Sequence, residues 1–343
     1  MRVGIIGTGA IAHKHAQAYR SIGFELAVCA NRSEDSGRRF AAQYGCAFVP
    51  AWEDVCRAAG LDFVDVCTLP DFRLQPLRLC AAQGMHIQVE KPMATNLATA
   101  REMVETARSA GILLHVVSQH RFDDSVQFLK HAIAAGRLGR ILQADAYVKW
   151  HRSTAYYARP GKGTWDVEGG GALINQAIHQ VDILLFLAGA VTDVFGAWQI
   201  GALHAIESED VISAVLRYAS GATGVIQAST AFWPGYSERV EIHGTKGTAI
   251  IIGNKLTSWD VQDDAGEAAP LASQVSSGSS DPMAISLESF ERQFLDFGEA
   301  IRNGRQPCSS GEEGCRALEL VISVYRSCRE GRRVSLANEG QDA

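Results

Sequence analysis

The chain has 343 residues, 47% of them hydrophobic and 20% charged, and its formal net charge is −6. These values describe an ordinary globular protein, and the length favours two domains. The acidic balance argues against a nucleic-acid partner or an anionic membrane, because it supplies no basic patch for phosphates. No apolar run reaches the length of a membrane span and the first residues lack the order of a signal peptide, so we expect a cytoplasmic protein.

The first third of the chain alternates short β-branched segments with longer helical ones, a pattern typical of βαβ units around a parallel sheet. It predicts strands at residues 2–6, 25–30, 63–68, 86–90 and 112–117. Helices are predicted between them, at residues 10–22, 33–45, 71–84 and 96–110. We therefore predict an α/β fold whose first domain, residues 1–121, is a doubly wound parallel sheet.

The pattern changes after residue 121. It predicts helices at 125–136 and 172–188, and strands at 140–150, 192–200, 210–218, 222–231, 237–243 and 247–252. Strands at this spacing indicate a large open, mainly antiparallel sheet in an α/β domain of residues 122–285. Residues 264–283 are predicted to form a loop. Helices at 286–303 and 311–329, within residues 286–335, are expected to pack back toward the first domain.

A glycine turn directly follows the first predicted strand. Gly7, Gly9 and Ala12 form a G-x-G-x-x-A pattern, with Ala10 and Ile11 between the last two. Glycines there permit a tight turn and let backbone N–H groups approach a pyrophosphate at a helix N-terminus. The alternative is a turn that only packs the helix against the strand. The surrounding βαβ units favour dinucleotide binding.

The end of the second strand is where such a site reads the adenosine ribose, usually with a carboxylate. This chain has Asn31 there, followed by Arg32 and Ser33. A carboxylate would repel a 2′-phosphate, whereas Arg32 and Ser33 can bind one, so the sequence favours NADP over NAD. Two alternatives stay open: Asn31 can hydrogen-bond a ribose hydroxyl, and Arg32 can stack on adenine or face solvent.

Glu90, Lys91 and Pro92 stand at the carboxyl end of the strand predicted at 86–90. In a doubly wound sheet that edge borders the ligand crevice. Pro92 biases the preceding residue away from helix, so we expect an extended backbone and a defined direction for Lys91. The alternative is a solvated lysine in a loop. We predict that Lys91 is catalytic and that Glu90 anchors the turn or pairs with the lysine.

A polar stripe runs along the apolar helix predicted at 172–188. Asn175, His179 and Asp182 are spaced to share one face of a continuous helix. A buried polar stripe needs partners or a function, and histidine is the usual proton carrier near neutral pH. The alternatives are a structural histidine and a metal site that uses His179 and Asp182. No further ligand pair at helical spacing supports a metal, so none is predicted.

The eight cysteines form no C-x-x-C pair. Several lie in apolar segments, where a cysteine behaves as a small hydrophobe. We expect them to be reduced and mostly structural, and to form neither a zinc site nor a disulfide framework.

Several segments together resemble the family of glucose–fructose oxidoreductase, inositol dehydrogenase and MocA (Gfo/Idh/MocA). They are GIIGTGAIA, VEKP, the Arg121–Phe122 pair, GGGALINQAIHQVD, GTKGTAII and FLDFGEAIRNGRQPCSSGEEGCRALEL. The resemblance covers nearly the whole chain. It rests on the occurrence of all the segments in this order.

The resemblance implies a Rossmann domain that binds NAD or NADP, and a second domain whose open sheet often forms the interface of a homodimer or homotetramer. It implies that Lys91 and His179 line the reacting carbon of a sugar-like or cyclitol substrate, and it suggests a cis Lys91–Pro92 bond. The reaction would be reversible hydride transfer between a ring CH–OH and the nicotinamide, with Lys91 or His179 relaying the proton. Further cofactor contacts are expected at Leu69, Pro70, Glu90 and Gln119.

One position departs from the family pattern, because many members have Asp where this chain has Asn175. An asparagine cannot act as a base, so the proton role falls to His179 with Lys91. Members that act on nucleotide-linked sugars, such as UDP-N-acetylglucosaminuronate dehydrogenases, resemble this Asn variant. The departure is therefore compatible with an active enzyme.

The segment 150–165 combines flat side chains with hydrogen-bond donors, which suit a carbohydrate ring. The predicted substrate contacts are Lys91, Arg121, Trp150, Arg152, Tyr156, Trp165, Asn175 and His179. Ordinary packing is the alternative for each aromatic residue. Arg152 and Lys162 can also contact a carboxylate or phosphate, so a uronic acid or a nucleotide sugar stays a candidate substrate. Three other functions are alternatives: a dehydrogenase that recycles tightly held NAD, a non-catalytic NAD(P)-binding sensor, and an oligomeric scaffold.

Overall fold

The structure of the protein is a computed structural model that describes residues 1–272 and 286–336. The chain forms two compact units. The first unit contains residues 1–119 and 286–316, and the second contains the described residues of 120–285 and 317–343. Each unit has its own sheet and its own buried core.

The first unit is built on a six-stranded parallel sheet in the order β3-β2-β1-β4-β5-β6. The strands are β1 (Arg2–Ile6), β2 (Glu25–Ala30), β3 (Ala47–Val49), β4 (Phe63–Val66), β5 (His86–Val89) and β6 (Leu114–Val116). The chain order reverses beside β1, which confirms the predicted doubly wound sheet. The sequence pattern misses β3, because three residues at a half-exposed edge are too few to show a period.

Helices connect consecutive strands of this sheet. They are α1 (Ala10–Ser21), α2 (Glu34–Tyr44), α3 (Trp52–Cys56), α4 (Leu74–Ala82) and α5 (Leu97–Ser109). Helix α5 begins after Asn96, whose side-chain oxygen accepts a hydrogen bond from the Thr99 N–H at 2.9 Å and so satisfies one free donor of the first turn. A single 3-10 turn, Pro70–Phe72, precedes α4.

The second unit contains an open sheet whose described strands have the order β13-β12-β11-β7-β10-β9-β8-β14. They are β7 (Ile141–Lys149), β8 (Val191–Ile200), β9 (Glu209–Tyr218), β10 (Thr223–Ser229), β11 (Arg239–Gly244), β12 (Gly247–Ile252), β13 (Lys255–Val261) and β14 (Val334–Ser335). Among these, β7 and β10 pair in parallel and the other neighbours are antiparallel. The mainly antiparallel sheet is confirmed, although its two terminal strands are not evident in the sequence.

The helix predicted at 172–188 is wrong as a continuous element. The helices of this region are α6 (Asp124–Ala134), α7 (Thr154–Tyr157), α8 (Trp165–Glu168), α9 (Ala172–Asn175) and α10 (Ile178–Ala188). The chain breaks between α9 and α10, where the Ala177 N–H bonds to the Ala172 carbonyl at 3.0 Å, five residues back. The apolar composition continues through the break, so periodicity alone does not reveal it.

Two long helices follow, α11 (Glu288–Asn303) and α12 (Gly311–Glu330). Helix α11 contributes aromatic side chains to the core of the first unit. The ring centroid of Phe294 lies 4.5 Å from that of Tyr19 on α1, and Phe297 lies 5.0 Å from Phe63 on β4. Its apolar face therefore completes a core that begins with the first helix of the chain.

The loop predicted at 264–283 is described as far as residue 272, and the rest lies outside the described residues. No disulfide joins the eight cysteines, all of which lie in the described part of the chain. Within the described ranges, no single helix is both long and apolar enough to cross a membrane. Trp165–Asn175 and Ile178–Ala188 meet that criterion only as a pair, with a bend of 56° between them.

Candidate active site

The predicted cofactor residues of the first unit all follow the carboxyl ends of parallel strands. Gly7 follows β1, Asn31 follows β2, Leu69 follows β4, Lys91 follows β5 and Gln119 follows β6. These ends meet at one edge of the sheet, which is the edge where doubly wound folds bind ligands. The fold therefore places the predicted contacts together although they are spread over more than a hundred residues of sequence.

The glycine turn leaves open space in front of the first helix. Gly7 has a φ of +92°, and a Cβ there would lie 3.2 Å from the Cys67 carbonyl. A Cβ at Gly9 would meet nothing within 4 Å, so the space in front of the helix is open. Helix α1 starts at Ala10 with no acidic residue in its first turn. Its free N–H groups and dipole thus favour an anion.

Asn31, the predicted ribose contact, also forms hydrogen bonds within the protein. Its side-chain oxygen accepts the Thr8 N–H at 3.2 Å, and its amide donates to the Ser33 carbonyl at 2.9 Å. It therefore ties the glycine turn to the end of β2. Arg32 and Ser33 are exposed beside it.

Of the other predicted cofactor contacts, Leu69 is 47% exposed, whereas Pro70 and Gln119 are buried. The Oε1 atom of Gln119 is buried without a hydrogen-bond partner among the described residues. A buried acceptor without a donor is costly, and a bound ligand with an N–H or O–H group would relieve that cost. The residues present therefore fit a dinucleotide.

The segment around Lys91 is held by hydrogen bonds from several directions. The Lys91–Pro92 peptide bond is cis, as the resemblance suggests. Glu90 is 5% exposed, and its Oε2 atom accepts the Lys91 N–H at 3.0 Å. The buried guanidinium of Arg73 donates to the carbonyls of Glu90 and Pro92. Lys91 is therefore not part of a mobile surface loop.

In the second unit, His179 lies on α10 and is 9% exposed. Its ring stands edge-on to that of His120, with centroids 5.1 Å apart. Nδ1 of His120 lies 2.8 Å from Asp123 Oδ2. His120 is not predicted from the sequence, although it directly precedes the Arg121–Phe122 pair. Two histidines in contact, one of them bonded to a carboxylate, can hold and pass a proton.

Arg121 and Asp182 form a buried ion pair. The guanidinium is 1% exposed and donates to both carboxylate oxygens, at 2.7 and 2.6 Å, while its carbon lies 4.9 Å from the centre of the Phe186 ring. Such a two-point pair matches the planar guanidinium geometry. Asp182 therefore orients Arg121. Arg121 is a predicted substrate contact, but its guanidinium binds Asp182 and so holds α10 in place.

Asn175 lies on the short helix α9, not on the helix that carries His179 and Asp182. The predicted single polar face is therefore wrong, because the chain bends between the two helices. The Asn175 side-chain amide donates to the Gly170 carbonyl at 3.2 Å.

Glu209 on β9 fixes the start of α9. Its carboxylate accepts the N–H groups of Gly171 and Leu173 at 2.9 and 2.8 Å and the Tyr325 hydroxyl at 2.7 Å. A Cβ at Gly171 would lie 1.9 Å from the Glu209 carbonyl, so only glycine fits. Burial raises the pKa of Glu209 to about 7 despite these donors. The sequence offers only a weak signal for this role, an acid at the start of a strand.

The predicted substrate segment divides into two clusters. The Arg152 guanidinium lies over the ring of Trp150 at 4.7 Å and of Tyr156 at 5.8 Å. Gln176, at the helix break, accepts from Arg152 at 3.3 Å and donates to the Tyr156 hydroxyl at 2.9 Å. Sequence reasoning misses Gln176. Trp165 lies in a different cluster, where its ring packs against those of Trp198 and Tyr325.

The match to known families defines the protein as an NAD-dependent oxidoreductase built from a doubly wound parallel unit and an open-sheet unit. Residues 1–118 match the model of the oxidoreductase family with an NAD-binding Rossmann fold, and residues 126–250 match the GFO/IDH/MocA C-terminal domain. The chain belongs to the Gfo/Idh/MocA family of oxidoreductases, whose characterised members include dehydrogenases of sugars and cyclitols.

Relatives resemble the chain over its full length. Myo-inositol 2-dehydrogenase of Thermotoga maritima is 28% identical over 98% of both chains, and 1,5-anhydro-D-fructose reductase of Ensifer adhaerens is 28% identical over 98% of both. The solved structure of the WlbA dehydrogenase from Chromobacterium violaceum, in complex with NADH and UDP-GlcNAcA, is 29% identical. It superposes with a TM-score of 0.87, covering 99% of this chain and 96% of the other.

Proposed function

We propose that the protein interconverts a ring CH–OH and a ring C=O of a sugar, sugar derivative or cyclitol. The observation that carries this proposal is the fixed Lys91 at the carboxyl end of β5, the edge where the cofactor residues of the sheet collect. The named activities of its relatives support the substrate class, since they act on inositol, anhydrofructose and glucosides.

The nicotinamide, when bound, supplies the hydride acceptor or donor. Lys91 hydrogen-bonds the reacting oxygen and helps to move its proton. His179, whose ring is in edge contact with that of His120, is the other candidate for relaying this proton. Asn175 cannot take a proton and serves as a hydrogen-bonding residue that orients the substrate.

The cofactor is proposed to be NADP in preference to NAD. Asn31 brings no negative charge to the end of β2, and exposed Arg32 and Ser33 lie next to it. A guanidinium there can form a charge-assisted bond with a 2′-phosphate.

Trp150, Arg152 and Tyr156 are proposed to contact the substrate together with Gln176, because they form one cluster of flat faces and donors. Trp165 and Arg121 are assigned structural roles. A nucleotide-linked uronic acid is the second candidate substrate. Arg152 is compatible with it, because a guanidinium can bind a carboxylate or a phosphate.

We infer that the chain forms a homodimer or homotetramer through the open face of its eight-stranded sheet. Phe195 on β8 and Val215 on β9 are direct cross-strand partners and are 50% and 53% exposed. Adjacent apolar side chains on an open face favour contact with another surface.

The test is a fluorescence titration of the purified protein with NADH and NADPH, followed by turnover assays. The substrates are myo-inositol, free hexoses and their keto derivatives, and UDP-N-acetylglucosaminuronate. Binding of a reduced cofactor and turnover of one substrate group would support the proposal. Binding without turnover on the whole panel would contradict it and favour a sensor, and absence of binding would contradict the cofactor assignment itself.

A further inference from the structure

Helix α1 carries a fully buried histidine, His15, that is bonded to two carboxylates of the first unit. Its Nδ1 lies 2.8 Å from Asp65 Oδ2, and its Nε2 lies 3.1 Å from Glu90 Oε1. His15 and Asp65 are both 0% exposed, and Glu90 is 5% exposed. Asp65 is on β4 and Glu90 follows β5, so the ring joins three elements of the fold.

With Asp65 and Glu90 ionised, this arrangement favours the imidazolium form of the ring. A neutral imidazole has one N–H donor and one lone pair. One of the two nitrogens would then present a lone pair to a carboxylate oxygen, which is repulsive in a buried site. Only the imidazolium donates to both Asp65 and Glu90.

One other buried cation lies in this region: the Arg73 guanidinium donates to the Glu90 carbonyl and interacts with the charges of Glu90 and Asp65. The groups in contact with the His15 ring itself carry no positive charge. The Cys67 Sγ lies 3.4 Å from Nδ1, and burial raises the pKa of this thiol to about 12, so it is neutral at physiological pH. The Tyr19 hydroxyl donates to Asp65 at 2.8 Å. The aromatic rings of Phe290 and Phe294, both on α11, pack against the His15 ring.

Burial by itself disfavours a charged ring at this place. The pKa of His15 is nevertheless raised well above its ordinary value by Cys67 and Asp65. Because the thiol is neutral, the Asp65 carboxylate is the charged group that stabilises the protonated ring. The second oxygen of Asp65, Oδ1, has no hydrogen-bond partner among the described residues, so this carboxylate depends on His15 and Tyr19.

Glu90 connects the His15 ion cluster directly to Lys91, the proposed catalytic lysine. While Oε1 of Glu90 meets the His15 ring, Oε2 accepts the Lys91 N–H. A carboxylate held at both oxygens cannot rotate without losing one of the two bonds. The position of the Lys91 backbone is therefore coupled to the ring on α1.

We propose that His15 is a positioning residue for Lys91: as a buried imidazolium between Asp65 and Glu90, it fixes Glu90, which in turn holds the backbone of the lysine. This inference rests on the proposed function for the role of Lys91. The ionisation of His15 and its hold on the Lys91 amide do not depend on turnover. They can be measured separately.

The first experiment is NMR of the full chain labelled with ¹⁵N-histidine. The ring of His15 should show two protonated nitrogens and keep both as the pH rises past the range in which ordinary histidines lose their proton. A single protonated nitrogen near neutral pH would overturn the proposal.

The second experiment compares His15→Gln with Tyr19→Phe. Both alter the same buried cluster, but only the first removes the bond to Glu90. In His15→Gln, amide exchange at Lys91 should accelerate, and the turnover number should fall on the order of 10- to 100-fold with KM and the NADH affinity nearly unchanged. Tyr19→Phe should leave Lys91 exchange close to that of the original protein.

Equal Lys91 exchange in His15→Gln and the original protein would overturn the positioning role. If no substrate on the panel is turned over, the proposed function fails while the exchange and NMR results still decide this inference. If His15→Gln does not fold, His15→Asn takes its place: its side chain is too short to bridge Asp65 and Glu90, so it should likewise release Lys91. Unchanged exchange in that variant would contradict the proposal.

Discussion

Lys91 has a fixed backbone, so its side chain can be removed without loosening the segment around it. We expect Lys91→Ala to lower the turnover number by about 100- to 10,000-fold, the usual contribution of a proton-transfer group. The affinity for reduced cofactor, measured by fluorescence, should change only slightly. Lys246→Ala, at an exposed turn of the second unit, is the control and should remain active. A Lys91→Ala protein with most of its activity would exclude the catalytic role.

Arg32 is the residue on which the cofactor preference depends. Arg32→Ala should weaken NADPH binding by about 10-fold, the loss of one charge-assisted bond, and leave NADH binding nearly unchanged. Parallel fluorescence titrations with the two cofactors measure this difference. Arg38→Ala, an exposed arginine that is paired with Glu34 on α2, provides the matched control. Equal losses for both cofactors would remove the basis for preferring NADP.

At the level of elements, the start of α9 depends on the carboxyl group of Glu209. Its pKa is about 7 in the folded protein and near 4.5 when exposed, so the folded state binds more protons between these values. Stability from this group is therefore greatest below pH 4.5 and is lost as the pH rises through 7. The full difference is about 3 kcal/mol.

Urea unfolding at pH 5.5 and pH 8 measures this effect. Glu209→Gln has no proton to lose, so its free energy of unfolding should vary less between the two pH values than that of the original protein. Glu207→Gln, with an exposed side chain close in sequence, is the comparison and should keep the full pH dependence. An identical pH dependence in all three proteins would show that Glu209 has an ordinary pKa.

At the level of the whole molecule, the open sheet face should govern assembly. Phe195→Glu would place a charge beside Val215 and is expected to shift an oligomer toward monomer, as measured by light scattering after size exclusion. The control is Leu142→Glu on β7. Leu142 is 43% exposed and lies on the other face of that strand, in line with buried Ala144 and Ala146. A Phe195→Glu protein of unchanged mass would place the interface elsewhere.

Features that depend on local chemistry and on a repeating period can be predicted from the sequence. The alternation of strands and helices specifies the doubly wound sheet, because parallel strands need helical crossovers. The glycine turn and the VEKP segment could be placed at strand ends for the same reason. Gly7, Asn31 and Lys91 are therefore accessible to reasoning from sequence alone.

Bonds between side chains that are distant in sequence depend on how the elements pack in three dimensions. The helix break before His179, the ion pair of Arg121 with Asp182, and the contacts of His120 and Gln176 join residues whose patterns carry no signal of each other. Burial also changes the acidity of a side chain. The pKa of Glu209 is raised to about 7 because the fold removes water from around its carboxyl group. Periodicity reports which face of an element is buried, whereas hydrogen-bond partners and desolvation follow from packing in three dimensions.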